Sequence, residues 1–212
     1  MLGAGGRELG AGAGSAIVTG VAWPGAVWGG GGMRELSMHI LDVLENALGA
    51  AATQVELTIV EDLELDRLTI TVKDNGRGMD ADTARRSLDP FFTTRTTRHV
   101  GLGLPLFAAA AARCDGGLTL KSTLGQGTIV MASLRHSHLD RAPLGNLTDT
   151  LLAFLLGAGE GMQLRYEHRV SGRTFSLDTA AMRAELGGVP LSYPQAREWL
   201  HEYIAEGEAE LA

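Results

Sequence analysis

Cysteine, aromatic residues and positive charge are all scarce in this sequence, and each shortage excludes a class of protein. Cys114 is the single cysteine among 212 residues, which excludes an internal disulfide framework and favours a reducing, cytoplasmic location. Lysine and arginine total 18 against 25 acidic residues, a formal net charge of −7, so a nucleic-acid-binding protein with a broad basic surface is not expected. The hydrophobic fraction of 45% predicts a folded core rather than a wholly disordered chain.

The N-terminal segment has no charge between Leu9 and Met33, so a membrane span, an export signal and a glycine-rich nucleotide loop are all considered. That stretch contains nine glycines and Pro24, which disfavour a spanning helix and break the apolar core of an export signal. The Gly-x-Gly-x-x-Gly spacing of a dinucleotide loop does not occur in residues 1–32. We therefore expect a disordered glycine-rich tail, or residues upstream of a true start at Met33, with no membrane contact.

Residues 33–140 alternate between helical and strand periodicity, which predicts an α/β domain. Apolar residues recur at helical spacing in the first and last of its helices and alternate with polar residues in four strands. The predicted order is a helix over 36–48, strands over 55–59 and 68–72, a short helix near 80–88, a polar loop over 89–100, a helix over 105–113, and strands near 118–122 and 128–134.

Residues 141–212 are predicted to form a small C-terminal α+β region. A helix near 146–156 precedes a hairpin over 163–170 and 173–177, turned at Ser171 and Gly172, and two more helices come after it. The last 22 residues contain one arginine and five glutamates, which we interpret as a solvated helix face. Trp199 and Tyr203, four residues apart on that helix, are interpreted as packing partners.

The first helix has a polar face opposite its apolar stripe. Helical spacing brings Asp42, Glu45 and Asn46 together on that face. Such a face is usually only solvated, so these residues become candidates for chemistry because of the motifs later in the chain.

Three glycine-containing segments and a basic loop make up those motifs. The segment 74–79, Asp-Asn-Gly-Arg-Gly-Met, comes directly after a strand, where its glycines permit a tight turn beside the carboxylate of Asp74. Four arginines and one acid lie between residues 84 and 100, a local excess of positive charge suited to anionic phosphates. Gly-Leu-Gly-Leu over 101–104 then opens a helix, whose N-terminus favours phosphate, and Gly-Gln-Gly-Thr over 125–128 precedes the last strand of the domain.

In this order, the asparagine helix, Asp-x-Gly-x-Gly, Phe-Phe-Thr-Thr-Arg, Gly-x-Gly-Leu and Gly-x-Gly-Thr resemble the ATP-binding domain shared by gyrase, Hsp90, histidine kinases and MutL. The resemblance covers about residues 36–135 and is closest to the histidine kinase branch. It implies a two-layer α/β sandwich, a mixed sheet with helices on one face, and Mg²⁺ and ATP as ligands. It further implies a stand-alone ATPase domain without a separate phospho-acceptor histidine domain, and His39 on the first helix is interpreted as a packing residue.

The resemblance also assigns roles to individual residues. Asn46 would ligate Mg²⁺, Asp74 would accept the adenine amino group, and Thr128 would support Asp74 through water. Gly76 and Gly78 would shape the adenine pocket, and Met79 would be a further ATP-binding residue. The loop over the triphosphate would contribute Thr93, Thr94, Arg95, Arg98, Gly101, Leu102, Gly103 and Leu104.

Catalysis is where the sequence departs from the family pattern. Hydrolysing members have a glutamate four positions before the asparagine, whereas this chain has the shorter Asp42, with Glu45 as the alternative base. We therefore expect slow ATP hydrolysis or transfer of the γ-phosphate to a partner protein. An anti-sigma-type serine kinase and a non-catalytic, nucleotide-gated interaction module remain alternatives, because no motif identifies a phospho-acceptor, a partner or an oligomeric state.

Overall fold

The computed structural model describes residues 15–20, 35–89 and 102–211, which build one seven-stranded sheet with helices against one face. Across the sheet the strand order is β1-β4-β5-β3-β2-β6-β7. In chain order the elements are β1 (Ser15–Gly20), α1 (Leu36–Gly49), β2 (Gln54–Asp62), β3 (Arg67–Asp74), α2 (Ala81–Arg86), α3 (Gly103–Arg113), β4 (Gly117–Thr123), β5 (Gly127–Arg135), α4 (Leu147–Ala158), β6 (Gln163–Val170), β7 (Arg173–Asp178), α5 (Thr179–Glu185) and α6 (Pro194–Ala209).

The sheet is mixed. Among the described strands, β2 and β6 pair in parallel, and the other neighbouring strands pair antiparallel. The predicted two-layer α/β sandwich with a mixed sheet is thereby confirmed.

The core lies between the sheet and the helices, as the two periodicities predict. On α1 the buried stripe includes Leu36, Ile40 and Leu44, each at most 1% exposed. Each strand buries every second side chain beneath the helices, because successive residues point to opposite faces. Full burial of one such aliphatic side chain stabilises the fold by roughly 1.5–3 kcal/mol. Cys114 is also buried.

Residues 15–20 differ from the prediction of a disordered tail, because they form β1 at the edge of the sheet. They pair antiparallel with β4 over the whole strand. This short stretch, Ser-Ala-Ile-Val-Thr-Gly, has one glycine and three β-branched residues, and Ala16 is 7% exposed. In the described ranges no helix has the length and apolar character needed to cross a bilayer.

The hairpin after α4 extends the sheet rather than standing beside it. β6 joins the edge of β2, and β7 folds back through a turn in which Ser171 and Gly172 have φ of 46° and 86°. Positive φ at both central residues suits a two-residue hairpin loop, so the predicted turn is confirmed. The connection before α4 is also tied to the first domain, since the Leu36 amide donates to the Pro143 carbonyl at 2.9 Å.

A chain of buried hydrogen bonds attaches α6 to the sheet. His168 on β6 lies between two carboxylates, at 3.1 Å from Glu61 Oε1 on β2 and 2.9 Å from Glu208 Oε2 on α6. Tyr166 Oη donates to the other oxygen of Glu208 at 2.7 Å, and His136 Nε2 lies 2.6 Å from Glu61 Oε2. One glutamate of the acidic helix is therefore a structural contact, which the interpretation of a solvated face missed.

The His168 contacts make stability depend on pH. Burial alone would lower the pKa of His168, but hydrogen bonds to Glu208 and Glu61 outweigh it and raise the pKa from 6.5 to about 9. A raised pKa contributes stability that is complete below pH 6.5 and lost as the pH rises through about 9. The same contact to His168 is the main reason that the pKa of Glu61 is lowered.

We predict that the free energy of unfolding falls by up to about 3 kcal/mol between pH 6.5 and 9, because deprotonation leaves a neutral ring between two carboxylates. The measurement is urea unfolding at a series of pH values. His168→Gln should lack this slope, whereas His201→Gln, an exposed site on α6, should retain it. An equal slope in His168→Gln would contradict the assignment.

Candidate functional site

The polar face of α1 lies between two parts of the candidate site. Asp42 is half-buried, while Glu45 and Asn46 are exposed to solvent. Asp42 contacts the first residue of α3, because a Cβ built on Gly103 would lie 2.8 Å from Asp42 Cβ and 3.0 Å from its Oδ2. The structure thus places a carboxylate against the N-terminus of α3, where the backbone dipole favours negative charge.

The C-terminal end of α1 contacts the turn after β3. The carbonyl of Ala50, the C-cap residue of α1, accepts a hydrogen bond from the Arg77 amide at 2.9 Å. A Cβ on Gly76 would lie 2.8 Å from Ala50 Cβ, so this turn packs directly against the helix end. At 1.5 Å per residue, the eight residues from Asp42 to Ala50 separate the two contacts by about 12 Å along the helix.

Asp74 ends β3 and carries the half-buried carboxylate of the turn. Its Oδ1 accepts a hydrogen bond from the Gly76 amide at 2.8 Å. Burial raises the pKa of the Asp74 carboxyl, and hydrogen bonds from the backbone amides of Gly76 and Thr128 act in the opposite direction. The site therefore holds an acceptor carboxylate in a partly desolvated place, where hydrogen bonds are stronger than in water.

Asn75 anchors this turn and was not among the residues singled out from the sequence. Its Oδ1 accepts from the amides of Thr53 and Gln54 at 2.9 and 3.0 Å, and its Nδ2 donates to Thr53 Oγ1 at 3.0 Å. These bonds fix the turn to the start of β2. The tendency of asparagine to bond nearby backbone is general, so the sequence offered no specific signal.

Three polar side chains form a row across neighbouring strands of the sheet: Asp74, Thr128 and Ser122. Thr128 on β5 is the cross-strand partner of Asp74 on β3 and also of Ser122 on β4. Cross-strand partners share a face, and here it is the helix-covered face. Thr128 is 8% and Ser122 2% exposed, and their hydroxyl oxygens are 2.9 Å apart.

Ser122 is a site residue that the sequence reasoning missed. The signal was present in the alternation of β4, where Leu118 and Leu120 are buried and Ser122 is the next residue on the same face. A hydroxyl that continues an apolar stripe must find partners when buried, which distinguishes it from a surface serine.

Two glycines allow the strand ends and the turn to approach closely. Gly78 has φ of +63°, and a Cβ there would lie 2.0 Å from the Thr123 carbonyl oxygen. Gly127 has φ of +108°, and its Cβ would lie 2.0 Å from the Asp74 carbonyl oxygen. No side chain fits at either position, so these glycines are requirements of the backbone arrangement.

Some of the predicted phosphate-contacting residues lie outside the described residues. They are Thr93, Thr94, Arg95, Arg98 and Gly101. Leu102 is the N-cap residue of α3, Gly103 is its first residue, and Leu104 is buried. Met79 is half-buried, and its amide donates to Ser122 Oγ at 2.8 Å.

His39 occupies the packed side of α1 rather than the site. Its ring stacks on Phe107 of α3, with centroids 5.2 Å apart and 3° between the planes. Burial, followed by the charge of Arg113, lowers the pKa of His39 from 6.5 to about 4. A neutral, stacked ring agrees with the packing role predicted for it.

The site therefore combines a half-buried carboxylate on a glycine turn, a buried hydroxyl pair and a helix start near a second carboxylate. The family model described as "Histidine kinase-, DNA gyrase B-, and HSP90-like ATPase" matches residues 33–138, half of the chain. The chain belongs to this family, and the resemblance inferred from the five motifs is confirmed. This membership supports ATP binding by a histidine-kinase-like ATPase domain.

Two curated relatives, described as a sensor protein and a sensor protein kinase, match about half of this chain. A "Putative sensor protein" of Shewanella frigidimarina is 34% identical over 46% of this chain and 15% of its own length. "Sensor protein kinase FleS" of Pseudomonas aeruginosa is 38% identical over 52% of this chain and 27% of its own length. A solved structure titled "Crystal structure of ShkA full-length in complex with AMPPNP" is 27% identical, with a TM-score of 0.41, over 47% of this chain and 21% of that one. The chain thus spans less than a third of the length of these proteins.

We predict that Gly78→Ala lowers the free energy of unfolding by about 3 kcal/mol or more, because positive φ and a backbone clash act together. Gly125→Ala is the matched control, since Gly125 has φ of +78° but no atom within 4 Å of its Cβ position. It should cost only about 1–2 kcal/mol. Urea unfolding of both variants measures the difference, and equal losses would contradict the close approach of Gly78 to β4.

Proposed function

We propose that this protein binds Mg²⁺-ATP and either hydrolyses it slowly or transfers its γ-phosphate to a partner protein. The observation that carries the proposal is the polar row of Asp74, Thr128 and Ser122 at the end of the apolar layer. A half-buried carboxylate that already accepts two backbone amides can accept a further donor from an amino group of a flat base. Gly76, buried against Ala50, keeps side chains away from that surface.

The residues present also fit the phosphates and a divalent cation. Asn46, one helical turn from Asp42, supplies an amide oxygen, and oxygen ligands are those that Mg²⁺ takes. Asn46 would hold the ion, which neutralises phosphate charge when bound. The start of α3 at Gly103 supplies backbone amides and a favourable dipole for the phosphates.

Asp42 is the proposed general base. Its side chain lies against Gly103, at the helix start assigned to the phosphates, so a water between them would be within its reach. Glu45 is exposed on the adjacent surface of α1 and is the alternative. Phosphoryl transfer depends on positioning and charge neutralisation more than on covalent chemistry by the protein, so a shorter carboxylate is compatible with slow turnover.

Transfer to a protein is supported by the relatives, two of which are described as a sensor protein and a sensor protein kinase. A serine kinase of the anti-sigma type would use the same site. The nucleotide-gated module is the non-catalytic alternative, in which the C-terminal region would meet the partner.

We predict that Asp74→Asn abolishes ATP binding, because the amide turns one acceptor oxygen into a donor facing the amino group of the base. Isothermal titration with ATP and Mg²⁺ measures the affinity. Asp62→Asn is the matched control at the opposite end of the sheet and should bind normally. Wild-type affinity in Asp74→Asn would overturn the assignment of the adenine site.

Asp42→Asn should leave ATP affinity within a few-fold of wild type and reduce turnover by about 10²-fold or more, because only the proton acceptor is removed. Glu45→Gln should retain turnover if Asp42 is the base. The opposite pattern would move the role of base to Glu45.

The fate of the γ-phosphate distinguishes the three activities. The protein is incubated with γ-labelled ATP, Mg²⁺ and host lysate, with the Asp74→Asn variant as control. Label in free phosphate identifies an ATPase, and label in a second protein identifies a kinase. Binding without release of label identifies the module and contradicts both catalytic hypotheses.

A further inference from the structure

Ser122 is buried more deeply than its neighbours Asp74 and Thr128. Its hydroxyl lies within hydrogen-bond distance of three groups. Its Oγ lies 2.8 Å from the Met79 amide, 3.2 Å from the Gly127 carbonyl oxygen and 2.9 Å from Thr128 Oγ1. A serine hydroxyl has one proton to donate and two lone pairs to accept with.

Proton counting favours one direction for the bond between the Ser122 and Thr128 hydroxyls. The Met79 amide can only donate, so it takes one lone pair of Ser122, and the Gly127 carbonyl can only accept. All three contacts are satisfied together only when Ser122 donates to Gly127 and Thr128 donates to Ser122. If Ser122 donated to Thr128 instead, its contact with the Gly127 carbonyl would go unused.

The direction of the bond determines what Thr128 presents to its surroundings. With its proton committed to Ser122, the Thr128 hydroxyl has only lone pairs left and acts as an acceptor. Asp74, its cross-strand partner, is also an acceptor when ionised. Two neighbouring acceptors favour a base edge, or an ordered water, that brings hydrogen-bond donors.

We propose that Ser122 is a positioning residue that sets purine specificity by holding the Thr128 hydroxyl as an acceptor. This inference rests on the proposed ATP site. Adenine carries an amino group at the position where hypoxanthine and guanine carry an oxo group. Two acceptors match the amino group and oppose the oxo group, whereas a freely rotating Thr128 hydroxyl could donate to the oxo group.

The test compares ATP with inosine triphosphate, which differs at this position of the base. The preference for ATP is measured as the dissociation constant for inosine triphosphate divided by that for ATP. Ser122→Ala should lower this ratio by about three- to tenfold, the size expected for one hydrogen bond. Any general loosening of the turn through Met79 affects both nucleotides equally and cancels in the ratio. An unchanged ratio in a folded Ser122→Ala variant that binds ATP would overturn the proposal.

Three further variants make the result specific. In a Thr128→Val background, Ser122→Ala should leave the ratio unchanged, because the hydroxyl it directs is absent, and a decrease in the ratio there would contradict the mechanism. Thr179→Ala removes an equally buried hydroxyl, bonded to the Leu164 amide at 2.9 Å, and should keep the wild-type ratio. Ser122→Cys has a similar volume but weakens the same hydrogen bonds, so it should also lower the ratio. It takes the place of Ser122→Ala if the alanine variant does not fold.

The failure of this proposal differs from failure of the proposed function. A wild-type protein that binds neither nucleotide would contradict the ATP site and this inference together. Wild-type binding of ATP with an unchanged ratio in the variants would contradict the role of Ser122 alone.

Discussion

The pairing of β3, β5 and β4 is the constraint on which the candidate site depends. Its register places Asp74, Thr128 and Ser122 in one row on the helix-covered face, where the apolar layer ends. A slip of one residue in any of these strands would turn its member of the row to the opposite face, because side chains alternate along a strand. The glycines at 78 and 127 belong to the same constraint, since they let the backbone of the turn reach the strand ends.

The α1 helix connects this row with the second half of the site. Its apolar stripe packs on the sheet, its C-terminal end contacts the turn at Gly76, and Asp42 contacts the start of α3. One helix therefore sets the distance between the region assigned to adenine and the region assigned to the phosphates. Preorganisation of this kind supplies positioning, which phosphoryl transfer requires more than added functional groups.

The C-terminal region is joined to the domain by both backbone and side chains. β6 extends the sheet from β2, and Glu208 of α6 completes the hydrogen-bond chain that begins at Glu61. The charged His168 between two carboxylates makes this attachment electrostatic as well as apolar. His168 thus links α6 to β2, which borders the strand that carries Asp74.

Local pattern was sufficient for most elements and for half of the site. Helical spacing and alternation predicted α1, the strands of residues 33–140 and the hairpin turned at Ser171 and Gly172. Motif order singled out Asp42, Asn46, Asp74 and the glycines as candidates, because these patterns depend on neighbours a few residues apart. The pairing of β1 with β4, of β6 with β2, and the partners of Ser122, Asn75 and Glu208 came only from the tertiary structure. A hydroxyl, an amide or a carboxylate has the same local pattern whether solvated or buried, and only distant strands brought together decide which partners it receives.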